Sequence, residues 1–334
     1  MQGKSEKLII GVDIGGTAIK MALLSAEGNI LVKREDPTPV AQGEDGVIGK
    51  VGEMIEQLLA QLGCTKEQVA GIGVGVPGPV DEPTGTVHYT VNLGWKDTPL
   101  KQKLEQLTGL PVYVDNDANC AALGEMWRGA GEGASDLIAI TLGTGVGGGV
   151  IAHGRVIHGV NGVGGEIGHI TMEPKGGPLC NCGKTGCLET YSSATAIIRE
   201  GTRAAEEGRS ARLAEVLGKQ GWLKAKDVID AAKDGDAAAI EVVDQATFYL
   251  GLALSHLANV LNPGKIVIGG GVSAAGEFLF SRIRETFVRY VTFPFVAESC
   301  PIVPATLGND AGVIGAAWLV RSRWGSAADA TQTS

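Results

Sequence analysis

Three cysteines and a histidine lie close together in GGEIGHITMEPKGGPLCNCGKTGCLETY, residues 164–191. Cys180, Cys182 and Cys187 offer thiolates, and His169 offers an imidazole. Three sulfurs and one nitrogen make a complete tetrahedral set for zinc, which closes structural sites at four ligands. A catalytic zinc keeps one position open for water, and four protein ligands leave none. Gly183 and Gly186, between the second and third cysteines, permit the tight turns that bring three thiolates to one ion. A disulfide is the competing reading. Cys180 and Cys182 are too near in sequence to pair easily, and the opening MQGKSEKLIIGVDIGG lacks the apolar core of a secretory signal. Glu166 and Glu189 bracket the cluster, so a metal would knot the loop and project both carboxylates into a polar site.

A second kind of chemistry is legible in glycine-rich turns. Residues 8–12 are an apolar, β-branched run, Asp13-Ile14-Gly15-Gly16-Thr17 follows, and 18–24 returns as a second apolar run. Glycine N–H groups in such a turn approach a polyphosphate closely, and Asp13 suits magnesium, directly or through water. A plain Gly-Gly hairpin explains the turn equally well when it is taken alone. The pattern starts again after Asp136: residues 137–142 lead to Gly143-Thr144-Gly145, and 146–151 continue. Two such hairpins, each opening a half of the chain, indicate an internal duplication and two α/β lobes around a cleft. Another close-approach turn, Gly269-Gly270-Gly271, follows the apolar run 266–268. No GxxxxGK[ST] loop is present.

The hydrophobic pattern places the elements around these turns. Val47, Val51, Ile55, Leu58, Leu59 and Leu62 recur at helical spacing across 46–62. Residues 69–76 read as a buried strand running into Pro77-Gly78-Pro79, and 92–95 as a polar and aromatic loop. A short helix is expected over 100–107, a strand over 112–114 that ends in Asp115-Asn116-Asp117, and a helix over 118–128. Helices dominate 193–262, and others are expected over 278–290 and from 308–312 to about 320. The small, polar stretch 325–334 reads as a disordered tail.

The totals set limits on function. A chain of 334 residues, 44% hydrophobic and 19% charged, is globular and long enough for two domains. A net charge of −9 argues against a general nucleic-acid binder. No run of eighteen apolar residues marks a membrane span. The cysteine usage fits a reducing cytoplasm, with Cys64, Cys120 and Cys300 as free core thiols.

Taken in order, eight motifs carry a family resemblance. They are DIGGT (13–17), GVPGPVD (75–81), NLGW (92–95), DNDANCAALGE (115–125), LGTGVGGG (142–149), GEIGH (165–169), CNCGKTGCLE (180–189) and LGNDAGVIGAA (307–317). With them the chain resembles the glucokinases of the ROK family (repressors, open reading frames and kinases). The resemblance implies an α/β, two-lobed, actin-like or ribonuclease-H-like ATPase fold with a cleft between the lobes. It implies ATP-dependent phosphorylation of a hexose, glucose first, with fructose, mannose or an N-acetylhexosamine as alternatives and polyphosphate as an alternative donor. The small lobe is expected over 1–117, completed by a helix at about 307–323, and the large lobe over 118–306. Hinges are expected near 117–137 and 300–312.

The resemblance also implies roles. Asp117 matches the family's catalytic base, taking the proton from the sugar 6-hydroxyl. Its bland reading is a helix N-cap, and Asp115 is the rival base if one strand face carries both. Gly78, Asn92, Asn116, Asp117, Glu166, His169 and Glu189 match ligands of the sugar hydroxyls. His169 would then serve zinc through one ring nitrogen and sugar through the other. Asp13, Gly15, Gly16, Thr17 and Lys20 match the first phosphate motif. Thr141, Gly143, Thr144 and Gly145 match the second, and Gly269, Gly270 and Gly271 an adenosine-contact turn. ATP, Mg2+ and a structural Zn2+ are the implied cofactors, and a homodimer is the implied assembly. Repressors of the family carry an added N-terminal helix-turn-helix domain, for which a first strand beginning near Leu8 leaves no room. A sensor without activity is disfavoured because Asp13, Thr17, Asp117, Thr144 and Glu189 are all in place.

Overall fold

A computed structural model describes residues 7–324, and the stretch expected to be a disordered tail lies outside them. The first half runs β1 (Leu8–Ile14), β2 (Ala18–Leu24), β3 (Ile30–Pro37), α1 (Gly43–Leu62), β4 (Val69–Val76), β5 (Val80–Asp81), β6 (Thr86–Tyr89), β7 (Lys96–Thr98), α2 (Leu100–Thr108), β8 (Val112–Asn116) and α3 (Asp117–Arg128). The second half runs β9 (Leu137–Leu142), β10 (Val146–Ala152), β11 (Arg155–Val156), α4 (Glu189–Ser192), α5 (Ala194–Glu206), α6 (Ala211–Gln220), α7 (Ala225–Lys233), α8 (Ala237–Leu261), β12 (Lys265–Gly269), α9 (Glu277–Tyr290), α10 (Pro294–Ser299), β13 (Ile302–Pro304) and α11 (Ala311–Arg321).

One sheet has the order β3-β2-β1-β4-β8 and another the order β11-β10-β9-β12-β13. In each, the first three strands pair antiparallel, and the last two run parallel to the strand that opens the hairpin. The repeat seen in two turns is therefore a repeat of a whole five-stranded sheet. A small third sheet, β5-β6-β7, leans on the first half. The apolar-run criterion misses β3 for a physical reason. Along ILVKREDP, half-buried and exposed residues alternate at a sheet edge, so no continuous apolar run exists.

Strand alternation assigns each face of the sheets to a separate core. Ile138, Ile140 and Leu142 of β9 enter the core under α5 and α7–α9, whereas Leu137 and Ala139 pack with Cys120, Leu123 and Met126 of α3. In β1, Ile10, Val12 and Ile14 pack with the Val47–Leu59 stripe of α1, and Ile9 turns toward Val313 and Ala317 of α11. Helix α8 is long and apolar enough to cross a bilayer by composition alone. Its Val242, Val243, Leu250 and Leu254 lie in the second core.

Helices α3 and α11 form the layer between the two sheets. Helix α3 follows a strand of the first sheet and packs on β9 and β10; α11 follows a strand of the second and packs on β1 and β4. Their contact is backbone to backbone. A Cβ on Gly315 would stand 1.6 Å from the Cys120 carbonyl oxygen, and one on Gly124 would stand 2.2 Å from that of Ala311. Gly11 and Gly73 let α11 down onto its sheet in the same way, with the Val313 and Ala316 oxygens 2.0 and 1.7 Å from the missing Cβ positions.

Candidate active site

The N-terminal ends of α3 and α11, the strand ends of the first hairpin and the turn of the second converge on a cavity of about 750 Å³. Its walls include Asp13, Lys20, Asp117, Thr141, Gly143, Thr144, Gly145, Glu189, Gly269, Gly270 and Gly271. Eleven residues singled out from sequence are thus brought together from five separate segments.

Asp13 ends β1 and faces Lys20 across the β1–β2 ladder. Gly312 approaches it so closely that a Cβ there would lie 2.7 Å from its Oδ2. Burial, and then the neighbouring Asp117 charge, raise the Asp13 carboxyl to about 6; Lys20 offsets part of this. Two half-buried carboxylates beside one lysine form an acidic pocket suited to a hard cation with oxygen ligands. Asp117 is the first residue of α3, and burial raises its carboxyl above the ordinary range against the lowering effect of hydrogen bonds. One of these is accepted by its Oδ1 from the Ala118 N–H at 2.8 Å.

Two expectations about this junction are corrected. The N-cap of α3 is Asn116, whose Oδ1 accepts from the N–H groups of Ala118 and Asn119 at 2.8 and 3.2 Å. Asp117 is therefore not the cap, although its Oδ1 shares the Ala118 N–H. Asp115 does not share a strand face with Asp117, because β8 stops at Asn116. Only 1% exposed, Asp115 accepts hydrogen bonds from the Asn116 N–H (2.7 Å), Asn119 Nδ2 (2.9 Å) and His158 Nε2 (2.8 Å). An acid so fully engaged is not a free base.

The second turn is fixed from outside. Gly143 and Thr144 present their carbonyls to the Ala194 N–H (2.9 Å) and Thr195 Oγ1 (2.8 Å) at the start of α5. Gly145 leaves room for Glu189, whose Oε2 would lie 2.7 Å from a Cβ there. Gly270 has φ +88° and lies against Leu142, so that turn tolerates only glycine. Gly15, Gly16 and Thr17 stand beside the cavity without lining it; Asn92 lies against Gly16, with its Cβ 2.9 Å from the missing side chain. Gly78 offers its carbonyl to Asn116 Nδ2 at 3.1 Å. Glu166 and His169 continue the polar surface beyond Glu189, with His169 Nε2 3.9 Å from Glu166 and Nδ1 4.0 Å from Glu189.

The zinc ligand set is assembled. One ligand atom each from His169, Cys180, Cys182 and Cys187 lies within 4.8 Å of the others. Cys182 and Cys187 have their sulfurs 3.6 Å apart, Cys180 Sγ is 3.5 Å from His169 Nδ1, and all three thiols are free. The Cys180 N–H bonds the Lys184 carbonyl and the Gly183 N–H the Cys180 carbonyl, which curls the loop. Gly186 has φ +75°, with a missing Cβ only 1.8 Å from the Glu173 oxygen. These residues fit a structural zinc ion. Burial raises the Cys180 and Cys187 thiols, whereas the Lys184 backbone hydrogen bond lowers Cys182. Metal binding would have to displace protons from the raised pair.

Sequence reading gave no role to Glu125, Asn119 or His158. Glu125, 3% exposed, accepts from the N–H groups of Ala130, Thr306 and Leu307 and so clamps the chain entering α11. A lone acid between the apolar residues of a helix was the available signal. His158 carried none, because its partner is forty-three positions away.

Two sheets of one topology, two glycine-rich hairpin turns and a cleft between them define the two-lobed, actin-like class of ATPase folds. The chain belongs to the ROK family, whose sequence profile matches residues 9–323. It is 51% identical to the glucokinase of Halalkalibacterium halodurans over 98% of this chain and 99% of that protein. The structure is similar to the ROK hexokinase of Thermus thermophilus, with TM-score 0.82, 34% identity and coverage of 96% and 99% of the two chains. It is also similar to a ROK family glucokinase of Streptomyces griseus in complex with glucose and AMPPNP, with TM-score 0.77, 38% identity and coverage of 94% and 99%.

Proposed function

We propose that this protein is a glucokinase that transfers the γ-phosphoryl group of MgATP to the 6-hydroxyl of glucose, with Asp117 as general base. The observation that carries the reading is the meeting, in one cavity, of Asp117, Asp13, Lys20, the Gly143-Thr144-Gly145 turn and Glu189. The likeness to proteins named glucokinase, one of them bound to glucose and AMPPNP, supports the sugar and the donor.

Phosphoryl transfer asks chiefly for positioning and charge stabilisation. Asp13 would hold the magnesium of the polyphosphate, directly or through water, and the Gly143-Thr144-Gly145 turn, which carries no charged side chain of its own, would meet the phosphates. Asp117 accepts the hydroxyl proton late, as the oxygen attacks, and its burial holds it nearer to neutral basicity. Asn116, Glu166, His169 and Glu189 accept and donate hydrogen bonds to the sugar hydroxyls, with Gly78 and Asn92 at the small-sheet side. Analogues that lack a hydroxyl would leave these groups unpaired. Zinc, held by His169 and the three cysteines, would supply a fixed fold for the loop that carries Glu166 and Glu189.

The lobes of this reading are 1–117 with α11, and 118–306. Closure would occur at 117–137 and 300–312 and would exclude water from the phosphate. Six unpaired thiols fit a cytoplasmic enzyme. A homodimer is part of the reading, supported by exposed Val260, Val288, Phe293 and Phe295 near the ends of α8, α9 and α10.

The test is ADP release with MgATP across glucose, mannose, fructose, N-acetylmannosamine and N-acetylglucosamine. Glucose should give the highest kcat/KM by a wide margin. Another sugar in that place would replace the substrate. No turnover with any of them, from zinc-loaded protein, followed by turnover with polyphosphate, would replace the donor.

A further inference from the structure

His158 lies outside the cavity, on the segment between β11 and Glu166, yet its imidazole reaches the strand that ends at the proposed base. Nε2 is 2.8 Å from Asp115 Oδ2. The other oxygen of Asp115 takes the Asn116 N–H and Asn119 Nδ2, at 2.7 and 2.9 Å. Asn116 in turn holds the first turn of α3 through Ala118 and Asn119, and reaches the Gly78 carbonyl with its amide. The cap that sets the first turn of α3, and with it Asp117, is thus linked to His158 through Asp115 and Asn116.

The other side of His158 leads to the sugar loop. Its carbonyl accepts the Gly164 N–H at 2.7 Å, closing the 158–164 segment into a ring two residues before Glu166. Asn119 Oδ1 is buried without a hydrogen-bond partner, and a Cβ on Gly165 would lie 3.7 Å from it. The turn before Glu166 therefore rests on the same amide that Asp115 orients.

We propose that His158 is a positioning residue for phosphoryl transfer: through Asp115 it locks the β8–α3 junction that presents Asn116 and Asp117 to the loop that presents Glu166. The inference rests on the kinase reading above. The histidine belongs to the half of the chain built on the second sheet and Asp115 to the first, so the bond also ties the two halves beside the cleft. Charged groups around the pair are Glu82, after β5, and Arg323, after α11; Asp115 is the strongest influence on the imidazole and raises its proton affinity. Neutral His158 still donates from Nε2 to Asp115, so the contact does not require the imidazolium.

The test compares His158→Gln, His158→Asn and His158→Ala in the zinc-loaded, full-length enzyme, at a temperature where circular dichroism shows each folded. Glutamine places an N–H where Nε2 stands, and asparagine is one methylene too short. Wild type must first turn over glucose; if it does not, the kinase reading fails and the variants are not needed. With wild type active, kcat should fall about 10²-fold in His158→Asn, the usual cost of a misplacement of about 1 Å at a reacting centre. His158→Gln should recover most of this loss, and KM for MgATP should stay within a few-fold. Equal kcat for the Gln and Asn variants, or a fall in melting temperature with kcat unchanged, would overturn the positioning role. Should His158→Ala fail to fold, the Gln and Asn pair still decides.

Discussion

Asn116-Asp117-Ala118 and Asn309-Asp310-Ala311 occupy corresponding places in the two halves of the chain, each between the fifth strand of a sheet and the helix that follows. The first junction turns directly into α3, with Asn116 capping it through two hydrogen bonds. The second passes through a short 3-10 turn at Gly308–Asp310, and α11 has no side-chain cap. Asp117 faces the cavity, with its proton affinity raised by burial. Asp310 faces outward and pairs with Lys33 at 2.9 Å. A duplicated backbone has thus delivered the same three residues to two sites, and capping, desolvation and the pair with Lys33 separate a candidate base from an outward-facing acid.

The largest effect should follow from breaking the buried copy. Asp117→Ala is expected to lower kcat by about 10²- to 10⁴-fold, the usual worth of a positioned general base. Glucose affinity, read by equilibrium titration, should change little, because the loop with Glu166, His169 and Glu189 remains. Proportionate loss of binding and rate would make Asp117 a structural residue and dissolve the contrast with Asp310.

A second difference between the halves is the insertion after the third strand. In the first half it carries only α1 before the next strand; in the second it carries the cysteine loop and five helices. Cys182→Ser removes one ligand from the cluster at its exposed corner. Zinc affinity should fall by more than about 10²-fold, since losing even an outer-shell partner costs up to that much. Glucose KM should rise with it, because the loop that carries Glu166 and Glu189 loses its knot. Elemental analysis alongside kinetics checks this; full activity in a zinc-free variant would remove the metal from the site's construction.

How much of this was legible beforehand follows from the range of each interaction. The hairpin turns, the helix stripe of 46–62 and the cysteine spacing are local patterns, and each reappears where the sequence placed it. The paired sheets were foreshadowed by the two turns, but β3 was invisible because an edge strand needs no apolar run, and β5–β7 because strands of two to four residues are too short to show a pattern. At the site, the residue types of Asp13, Asp117 and Glu189 were readable, whereas the cap at Asn116 and the withdrawal of Asp115 were not. Both depend on where β8 ends, and boundaries are the weakest part of a pattern reading. The bond from His158 to Asp115 spans forty-three positions and leaves no trace in spacing.

The two hairpins sharpen the comparison further. Asp13 of β1 and Thr141 of β9 stand at matching positions, facing Lys20 and Gly147 across their ladders. Only the first is a carboxylate. With its value raised from 3.8 to about 6, Asp13 is bound more tightly to its proton in the folded chain than in the unfolded one. The resulting stability is fully present below 3.8 and is lost as pH rises through about 6. Without MgATP, Asp13→Asn should therefore raise the melting temperature more at about pH 7.5 than at about pH 4.5. MgATP should reverse the order by stabilising the ionised wild type, while the variant binds it weakly. A difference independent of pH would mean that Asp13 is not desolvated in the folded protein.

The smallest effect should come from the exposed copy, and its smallness is informative. Asp310→Ala removes the bridge to Lys33, whose side chains are 34% and 62% exposed. Pairs this solvated contribute about 0–1 kcal/mol and are screened by salt. The melting temperature should shift by no more than about 1–2 °C for a chain of this size, and the shift should vanish at about 1 M salt, where the screening length is a few ångströms. Glucose turnover should match the wild type, because Asn309 and Gly308, not Asp310, line the cavity. A loss of kcat approaching that of Asp117→Ala would show that the second junction also acts on the reaction. The division between a desolvated aspartate and a solvated one would then be the wrong account of why the first half holds the base.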